Sequence, residues 1–403
     1  MLKLILNYYN DLVFQPSELF LHKDFGQVAT VLGELHGRRV VHLICCKESN
    51  KYLSTFSGAN VVQAKKRFRL LPTKLDFIKN LAAYQFLLQH RRQFSCLVMF
   101  PFCPHSDLLI AKLFLALNPA AKIIVKLDAN LAYLEQLQAS YDANPLNCFR
   151  QHHYYRGILD IADVVLYETR KVGQLLSHGN FLGMCQPSKF LNIFNGISRN
   201  QVAIALDTQS NELASTRNNI IVFSGRLGSP EKNVELIFRA DPVPAGWKLK
   251  FVGSLDNAFL AVIAHYRARD PKFDTKYEFT GEISDKKSYF QELSTAKILL
   301  LCSNKEGFPM VYAEAHYFGL YIVTTDVSGS AEATDEGRIG TIIPRNDPIA
   351  LRQALHSVCS NANLDKFIDA GREYGYRHFI WEQSLRNPII DSLFIPGPSG
   401  LVR

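Results

Sequence analysis

The sequence lacks the cysteine and glycine patterns that would assign a class of protein directly. Eight cysteines occur among 403 residues, but no two are spaced as Cys-x-x-Cys and none has the histidine spacing of a zinc site. We therefore expect reduced cysteines in the core rather than disulfides or structural zinc. The Gly-x-Gly-x-x-Gly pattern is also absent, which disfavours a nicotinamide dehydrogenase.

Long apolar runs are lacking as well. The longest candidate, Leu108 to Leu117, carries Lys112 and is followed by Asn118 and Pro119, so it is too short to span a bilayer. The stretch from Met1 to Asn10 has a short apolar part and no small-residue cleavage site, which argues against a signal peptide. We expect this stretch to be the first strand of a cytoplasmic protein.

Negative charge is scarce in one part of the chain. The formal net charge is +8, and between Val61 and Ser95 eight lysines and arginines stand against one acidic residue, Asp76. Apolar residues are interleaved with the cations over residues 65–92, which suits either a helix lying on an anionic membrane surface or a core-packing helix with a solvated basic face. No nucleic-acid-binding module accompanies the charge, so nucleic acid is not expected as a partner.

What the chain does contain is an alternation of short aliphatic runs and amphipathic stretches. Apolar residues make up 47% and charged residues 20%, an ordinary globular composition, and the length allows two or three domains. The alternation predicts an α/β protein with parallel sheets.

One stretch organises the second half of the chain. It runs from Glu306 to Glu314 and lies between the apolar runs 298–302 and 321–324, so we predict a strand, a loop, a helix and a second strand. Pro309 suits the first helical position and Gly319 suits the helix end. The loop would lie at the carboxyl edge of the sheet, where open α/β folds bind ligands. Its two carboxylates are either acceptors for sugar hydroxyls or ordinary surface residues.

A second loop places cations at the same predicted edge. The strand Ile220–Ser224 is followed by Gly225, Arg226 and, six positions after Arg226, Lys232. Two cations on such a loop suit an anionic ligand, and solvated surface side chains are the alternative.

The motifs of the second half resemble those of glycosyltransferase family four, a family of retaining GT-B enzymes. The resemblance rests on the Glu306/Glu314 spacing, the Arg226/Lys232 loop, and the elements at Ser328–Glu332 and Gly340–Pro344. It implies a GT-B fold of two Rossmann-like β/α/β domains facing an interdomain cleft. The implied divisions are residues 1–198 on the acceptor side, a linker at 199–219, a nucleotide-sugar domain at 220–376, and 377–403 as a C-terminal helix that crosses back to the first domain.

The resemblance also implies a role for each matching residue of the second domain. Glu306 and the backbone around Gly307, Phe308 and Met310 would address the donor sugar, Glu314 would hold the ribose, and Gly225, Arg226 and Lys232 would surround the donor diphosphate. We expect Glu306→Ala or Arg226→Ala to lower kcat by about a hundredfold or more, the scale of a lost transition-state contact. Glu314→Ala should chiefly raise the KM for the donor.

Three candidates fall in the first domain. Gly26 is the glycine expected near the donor phosphates, or else an ordinary helix-start glycine. Asp128 stands where relatives carry a histidine that meets the donor sugar, and its alternative role is a helix cap. His105 follows a predicted strand, 96–100, and so would lie in a loop at the carboxyl edge of that sheet.

The implied activity is transfer of a sugar from a nucleotide-sugar donor to a lipid-linked or oligosaccharide acceptor, with retention, in cell-surface polysaccharide or glycolipid synthesis. No Asp-x-Asp triplet occurs, so we expect Arg226 and Lys232 rather than a metal ion to offset the diphosphate charge, and no cofactor. The enzyme would be cytoplasmic and peripheral on the inner face of the membrane. A nucleotide-sugar epimerase of the same fold and a non-catalytic nucleotide-sugar-binding subunit remain as alternatives, and a donor-only assay separates the epimerase.

Overall fold

The described residues form two compact units. The computed structural model describes residues 4–10, 23–46, 60–65, 81–101, 103–127, 131–177, 180–184, 187–206 and 217–395. The first unit contains the described residues up to Phe194 together with those from Ser384 onward, and the second unit runs from Asn195 to Gln383.

The first unit is built on a parallel sheet. In the described part of the chain this sheet has seven strands in the order β3-β2-β1-β4-β5-β6-β7. The strands are β1 (Leu4–Asn10), β2 (Val40–Cys46), β3 (Asn60–Lys65), β4 (Phe94–Met99), β5 (Lys122–Lys126), β6 (Val164–Tyr167) and β7 (Phe190–Asn192). The helices up to the boundary are α1 (Asp24–Leu35), α2 (Leu81–Gln89), α3 (Pro104–Leu117), α4 (Leu131–Ala143), α5 (Gln151–Ile161) and α6 (Arg170–Ser177), with 3-10 turns at Phe181–Gly183 and Pro187–Lys189.

The second unit repeats this plan. Its described sheet has six parallel strands in the order β10-β9-β8-β11-β12-β13. The strands are β8 (Ile220–Ser224), β9 (Lys248–Val252), β10 (Tyr277–Gly281), β11 (Ile298–Leu301), β12 (Tyr321–Thr325) and β13 (Gly340–Ile343). The remaining helices in the described residues are α7 (Arg199–Leu206), α8 (Glu235–Ala240), α9 (Asn257–Arg269), α10 (Phe273–Lys276), α11 (Lys286–Ser294), α12 (Met310–Phe318), α13 (Ser330–Ala333), α14 (Pro348–Cys359), α15 (Leu364–His378), α16 (Trp381–Ser384) and α17 (Pro388–Ser392). The predicted α/β class with parallel sheets is confirmed in both units.

The central stretch folds as predicted, with a small shift at its start. All four residues of β11 are fully buried, as expected for a strand covered on both faces. Gly319 ends α12 in the left-handed conformation, with φ 70°. Pro309 is not the first helical residue, because its ψ of 129° keeps it extended, and α12 begins at Met310.

Two other segments contain helices that differ from the expected chain path. The first part of the expected linker forms helix α7, because the Ser198 hydroxyl accepts a hydrogen bond from the Gln201 N–H (3.3 Å) and Val202 is buried. The C-terminal helix expected within residues 377–403 is divided into two short helices, α16 and α17. Asn387 caps α17 by accepting from the Ile389 N–H, and Pro388 occupies the first turn of α17, where its missing N–H costs no helical hydrogen bond.

The basic segment 65–92 falls largely outside the described residues. Lys65 ends β3, and the next described residues are those of α2 and the turn after it. No helix in the described ranges is long and apolar enough to cross a membrane.

Candidate functional site

The strand order of the second sheet indicates one candidate position for a ligand site. Strand β8 lies between β9 and β11, so the chain winds outward in one direction from β8 and in the other from β11. Open parallel sheets bind ligands outside the carboxyl ends of the strands at such a switch point. The loops that follow these two ends are 225–233 and 302–309, the two loops that carry the sequence motifs.

Hydrogen bonds join the two loops. The Asn304 N–H donates to the Glu231 carbonyl (2.7 Å), and the Asn304 side chain donates to the Pro230 carbonyl (3.2 Å). Burial raises the pKa of Cys302 to about 12, so its thiol stays protonated and donates to the Lys232 carbonyl at 3.3 Å. These contacts hold the Lys232 and Glu306 loops side by side.

Lys232 and Glu306 meet across this junction. The Lys232 ammonium lies 2.5 Å from Glu306 Oε1, and the Ser303 hydroxyl donates to the same oxygen at 2.6 Å. The two charged side chains are 16% and 12% exposed, so solvent reaches the pair. A β-carbon at Gly225 would lie 3.5 Å from Lys232 Cε, which shows that Gly225 backs the lysine stem.

A glycine pair brings the strand ends of this site together. Gly253, which follows β9, has φ +147°, and a β-carbon there would lie 1.9 Å from the Gly225 carbonyl oxygen. No other residue type fits such a close backbone approach. The Gly225 loop therefore leaves β8 directly against the end of β9.

Glu314 is the centre of a second polar cluster in the same unit. Its side chain is 7% exposed, and the Lys286 ammonium lies 3.2 Å from Oε1. The Tyr289 hydroxyl donates to Oε2 at 2.6 Å and lies 3.0 Å from the Ser224 hydroxyl. Burial, followed by the Glu314 charge, raises the pKa of Tyr289 well above its ordinary value. Because Ser224 directly precedes Gly225, this cluster and the Lys232–Glu306 pair adjoin the same strand end.

Arg226 differs from Lys232 in its surroundings. Its side chain is 69% exposed and its guanidinium donates to Glu231 at 2.8 Å. The expected gathering of two carboxylates and two cations is therefore seen for Lys232 with Glu306, whereas Glu314 pairs with Lys286 and Arg226 with Glu231.

The loop between Glu306 and α12 is packed from two sides. Phe308 is 3% exposed and its carbonyl accepts from the Asn195 amide at 2.8 Å. Gly329, with φ +82°, lies so close that a β-carbon there would be 3.0 Å from the Gly307 carbonyl oxygen. Met310 is the first residue of α12, so the backbone of 307–310 is the start of that helix and the approach to it.

In the first unit, the two candidate residues that the structure describes lie at the starts of helices. Gly26 is in the first turn of α1, where its N–H donates to the Lys23 carbonyl at 3.0 Å. His105 is in the first turn of α3 rather than in a loop, because the helix begins at Pro104, and its ring lies 3.8 Å from that of Tyr154. Asp128 lies outside the described residues.

The sequence did not indicate three polar features of the structure: Lys286, Tyr289 and a buried ionic cluster. Lys286 and Tyr289 lie three residues apart on one face of α11, and that spacing is common on surface helices, so no signal set them apart. The third is an ionic cluster in the first unit, where the fully buried Lys126 ammonium pairs with Glu168 and lies 4.0 Å from Asp24. Among the described residues no group of three or more His, Cys, Asp or Glu side chains has the arrangement of a metal site.

The region around these loops also matches a known protein family. Residues 218–361 match the family model described as glycosyl transferases group 1. The second unit carries a glycosyl transferases group 1 domain. Both the Lys232–Glu306 pair and Glu314 lie within the matched residues of this domain.

Solved structures similar to the whole chain show the GT-B fold. Anabaena HepE in complex with UDP-glucose is 14% identical, with a TM-score of 0.66 and coverage of 96% of this chain and 97% of that one. Sucrose-phosphate synthase from Thermosynechococcus elongatus is 16% identical, with a TM-score of 0.68 and coverage of 95% and 96%. The expected GT-B fold is thereby confirmed.

One curated relative is similar over part of the chain. It is the GalNAc-α-(1→4)-GalNAc-α-(1→3)-diNAcBac-PP-undecaprenol α-1,4-N-acetyl-D-galactosaminyltransferase of Campylobacter jejuni, 25% identical over 155 residues, which are 37% of this chain and 41% of that protein. The chain thus aligns with less than half the length of the curated relatives it matches.

Proposed function

We propose that this chain is a glycosyltransferase that moves a sugar from a nucleotide-sugar donor to a lipid-linked or oligosaccharide acceptor. The observation that carries the proposal is the Lys232–Glu306 pair at 2.5 Å, which lies on the two loops of the switch point and inside the matched glycosyl transferases group 1 domain. A cation and a carboxylate on these loops suit the two parts of a nucleotide sugar, the diphosphate and the sugar hydroxyls.

The chemistry we propose assigns one task to each charge. Lys232, assisted by Arg226, offsets the charge that grows on the departing nucleotide diphosphate, and such groups act most strongly when they are held in place before the reaction. Glu306 binds the donor sugar and Glu314 binds the ribose, as the resemblance implies. Since Lys232 already lies on Glu306, the diphosphate must share or replace that contact.

Donor and acceptor classes follow from the similar proteins. HepE was solved with UDP-glucose, which supports UDP-sugars as the first donors to test. The name of the Campylobacter relative includes a diphosphate-undecaprenol chain, which supports a lipid-linked acceptor in polysaccharide or glycolipid synthesis. Retention of configuration belongs to the same proposal, and NMR of the product's anomeric proton tests it.

The direct test is a two-stage assay of the purified chain. A thermal-shift screen over nucleotide sugars should identify the donor, because a ligand that binds the folded state raises the melting temperature. With that donor, sugar transfer should require a lipid or oligosaccharide acceptor extract. Nucleotide release without any acceptor would favour the epimerase, and donor binding without transfer to any extract would favour the binding subunit.

The same assay tests the charge assignment. If Lys232 and Arg226 offset the diphosphate charge in place of a metal ion, turnover should be the same with and without EDTA. Loss of activity in EDTA that returns with a divalent cation would contradict this part of the proposal.

We place the enzyme on the inner face of the membrane as part of the same proposal. Residues 65–92 hold the positive excess of the chain, and a cationic segment binds anionic lipid with a strength that falls as salt rises. Sedimentation with anionic liposomes should therefore decrease between low and high salt. Equal sedimentation with neutral and anionic liposomes would contradict the membrane role.

A further inference from the structure

Glu314 is held by two donors that bind different oxygens. The Lys286 ammonium lies 3.2 Å from Oε1 and the Tyr289 hydroxyl lies 2.6 Å from Oε2. Both donors come from α11, three residues apart, so they project from one face of a single helix. The two contacts fix both the position and the rotation of the carboxylate plane.

The direction of the hydrogen bonds follows from the number of protons. Tyr289 has a single O–H, and it is used in donating to Glu314, because an ionised carboxylate only accepts. The 3.0 Å contact with Ser224 must then be donated by the Ser224 hydroxyl to the Tyr289 oxygen. Burial keeps the phenol protonated, since it raises the pKa of Tyr289 well above the ordinary value.

Counting acceptor sites shows what remains for a ligand. A carboxylate offers about four lone-pair sites, two on each oxygen. Lys286 occupies one site on Oε1 and Tyr289 one site on Oε2, which leaves one site on each oxygen. Two neighbouring acceptors held in one plane match the two O–H groups of a vicinal diol, such as the 2′ and 3′ hydroxyls of ribose.

We propose that Tyr289 is a positioning residue that makes this site select ribonucleotides over 2′-deoxyribonucleotides. The inference rests on the proposed function, because it takes Glu314 as the ribose ligand. Ser224 fixes the Tyr289 hydroxyl, Tyr289 fixes the rotation of Glu314, and the fixed carboxylate receives both ribose hydroxyls. A phenylalanine at 289 would leave Glu314 held by Lys286 at one oxygen only, so its plane could rotate away from the diol.

The test is calorimetric titration of the full chain with UDP, GDP and ADP and with the three 2′-deoxy counterparts. Wild type should prefer the ribonucleotide of its own base by about tenfold or more, the scale of one hydrogen bond to a charged group. Tyr289→Phe should bind that ribonucleotide about tenfold more weakly and the deoxy form almost as well as wild type does, so that the preference falls to about one. Ser224→Ala should reduce the preference in the same direction by a smaller factor.

A matched control is available in the same unit. The Tyr266 hydroxyl donates to Glu235 at 3.3 Å on an exposed surface, so Tyr266→Phe removes a Tyr–Glu contact of the same kind away from the site. This variant should keep the wild-type preference.

Each result has a definite consequence. An unchanged preference in Tyr289→Phe, or an equal loss for ribo and deoxy forms, would overturn the positioning role. If Tyr289→Phe does not fold, an unchanged preference in Ser224→Ala would overturn it instead. Absence of binding of all three ribonucleotides to wild type would contradict the proposed function itself, which separates the two failures.

Discussion

The two units handle buried charge in different ways. In the first unit the Lys126 side chain is fully buried between Glu168 and Asp24, whose side chains are 3% and 8% exposed. In the second unit Lys232 and Glu306 are 16% and 12% exposed. Since solvent does not reach the enclosed Lys126, we expect this cluster to stabilise the first unit by joining the end of β5 to the start of α1 and to Glu168, which follows β6. A pair that solvent reaches can give up one partner to a ligand.

Replacing Lys126 should have the largest effect on stability. Lys126→Met removes the cation that two buried carboxylates face, and breaking such an arrangement costs about 3 to 5 kcal/mol of unfolding free energy. The measurement is urea unfolding followed by far-ultraviolet circular dichroism. The two tryptophans, Trp247 and Trp381, both lie in the second unit, so their fluorescence reports that unit separately and should shift less.

Lys122 provides the matched control for this prediction. It begins the same strand, lies 3.2 Å from Asp163, and has a side chain that is 31% exposed. Lys122→Met should cost about 1 kcal/mol or less, because a partly solvated ion pair contributes little. If Lys126→Met and Lys122→Met lost equal amounts of unfolding free energy, the distinction between enclosed and solvent-accessible charge would be contradicted.

Replacing Lys232 should affect catalysis rather than stability. Lys232→Ala should lower kcat by about a hundredfold with the donor identified by the screen, since it removes charge stabilisation in the transition state. Lys276, which is 19% exposed and lies 2.6 Å from Asp241, is the control. Near-normal turnover in Lys232→Ala, or an equal loss in Lys276→Ala, would contradict the assignment of the diphosphate site.

Acid should destabilise the second unit through His316, on the same helix as Glu314. Burial lowers the pKa of His316 to about 4, so the folded unit holds a neutral ring, whereas the unfolded chain takes up a proton near pH 6.5. The free energy of unfolding should therefore fall as pH drops from about 6.5 towards 4, by about 2 kcal/mol at pH 5. Urea unfolding followed by tryptophan fluorescence measures this, and a His316→Asn variant should show a flatter profile.

Replacing Arg226 should give the smallest effect among the four predictions of this section. The sequence alone predicts that Arg226→Ala lowers kcat as much as Glu306→Ala does. In the structure, however, the Arg226 side chain is 69% exposed and pairs with Glu231 in solvent. Because solvent screens an exposed cation, it contributes less, so Arg226→Ala should lower kcat/KM by about tenfold or less without loss of stability. A loss equal to that of Lys232→Ala would show that the donor draws Arg226 into the same site.

Much of the second unit could be predicted from its sequence because local patterns and fold agree there. The run 298–301 is short, aliphatic and buried on both faces, and Gly319 ends the next helix in the one backbone conformation that favours glycine. The linker and the last helix were predicted less well. In both, a side-chain cap at Ser198 or Asn387 decided where a helix starts, and such caps compete with turns that use the same residues.

The sequence by itself determined the α/β class, the parallel sheets and the loops that carry Lys232 and Glu306, because periodicity and motif spacing are local properties. Only the tertiary structure decided which charges meet. It paired Glu314 with Lys286 and Tyr289, left Arg226 in solvent, and enclosed Lys126 between two carboxylates. The pairs Glu314–Tyr289, Glu314–Lys286 and Lys126–Glu168 are 25, 28 and 42 residues apart in the chain, and Asp24 is farther still from Lys126. Contacts at such separations depend on how strands and helices pack, which no local pattern records.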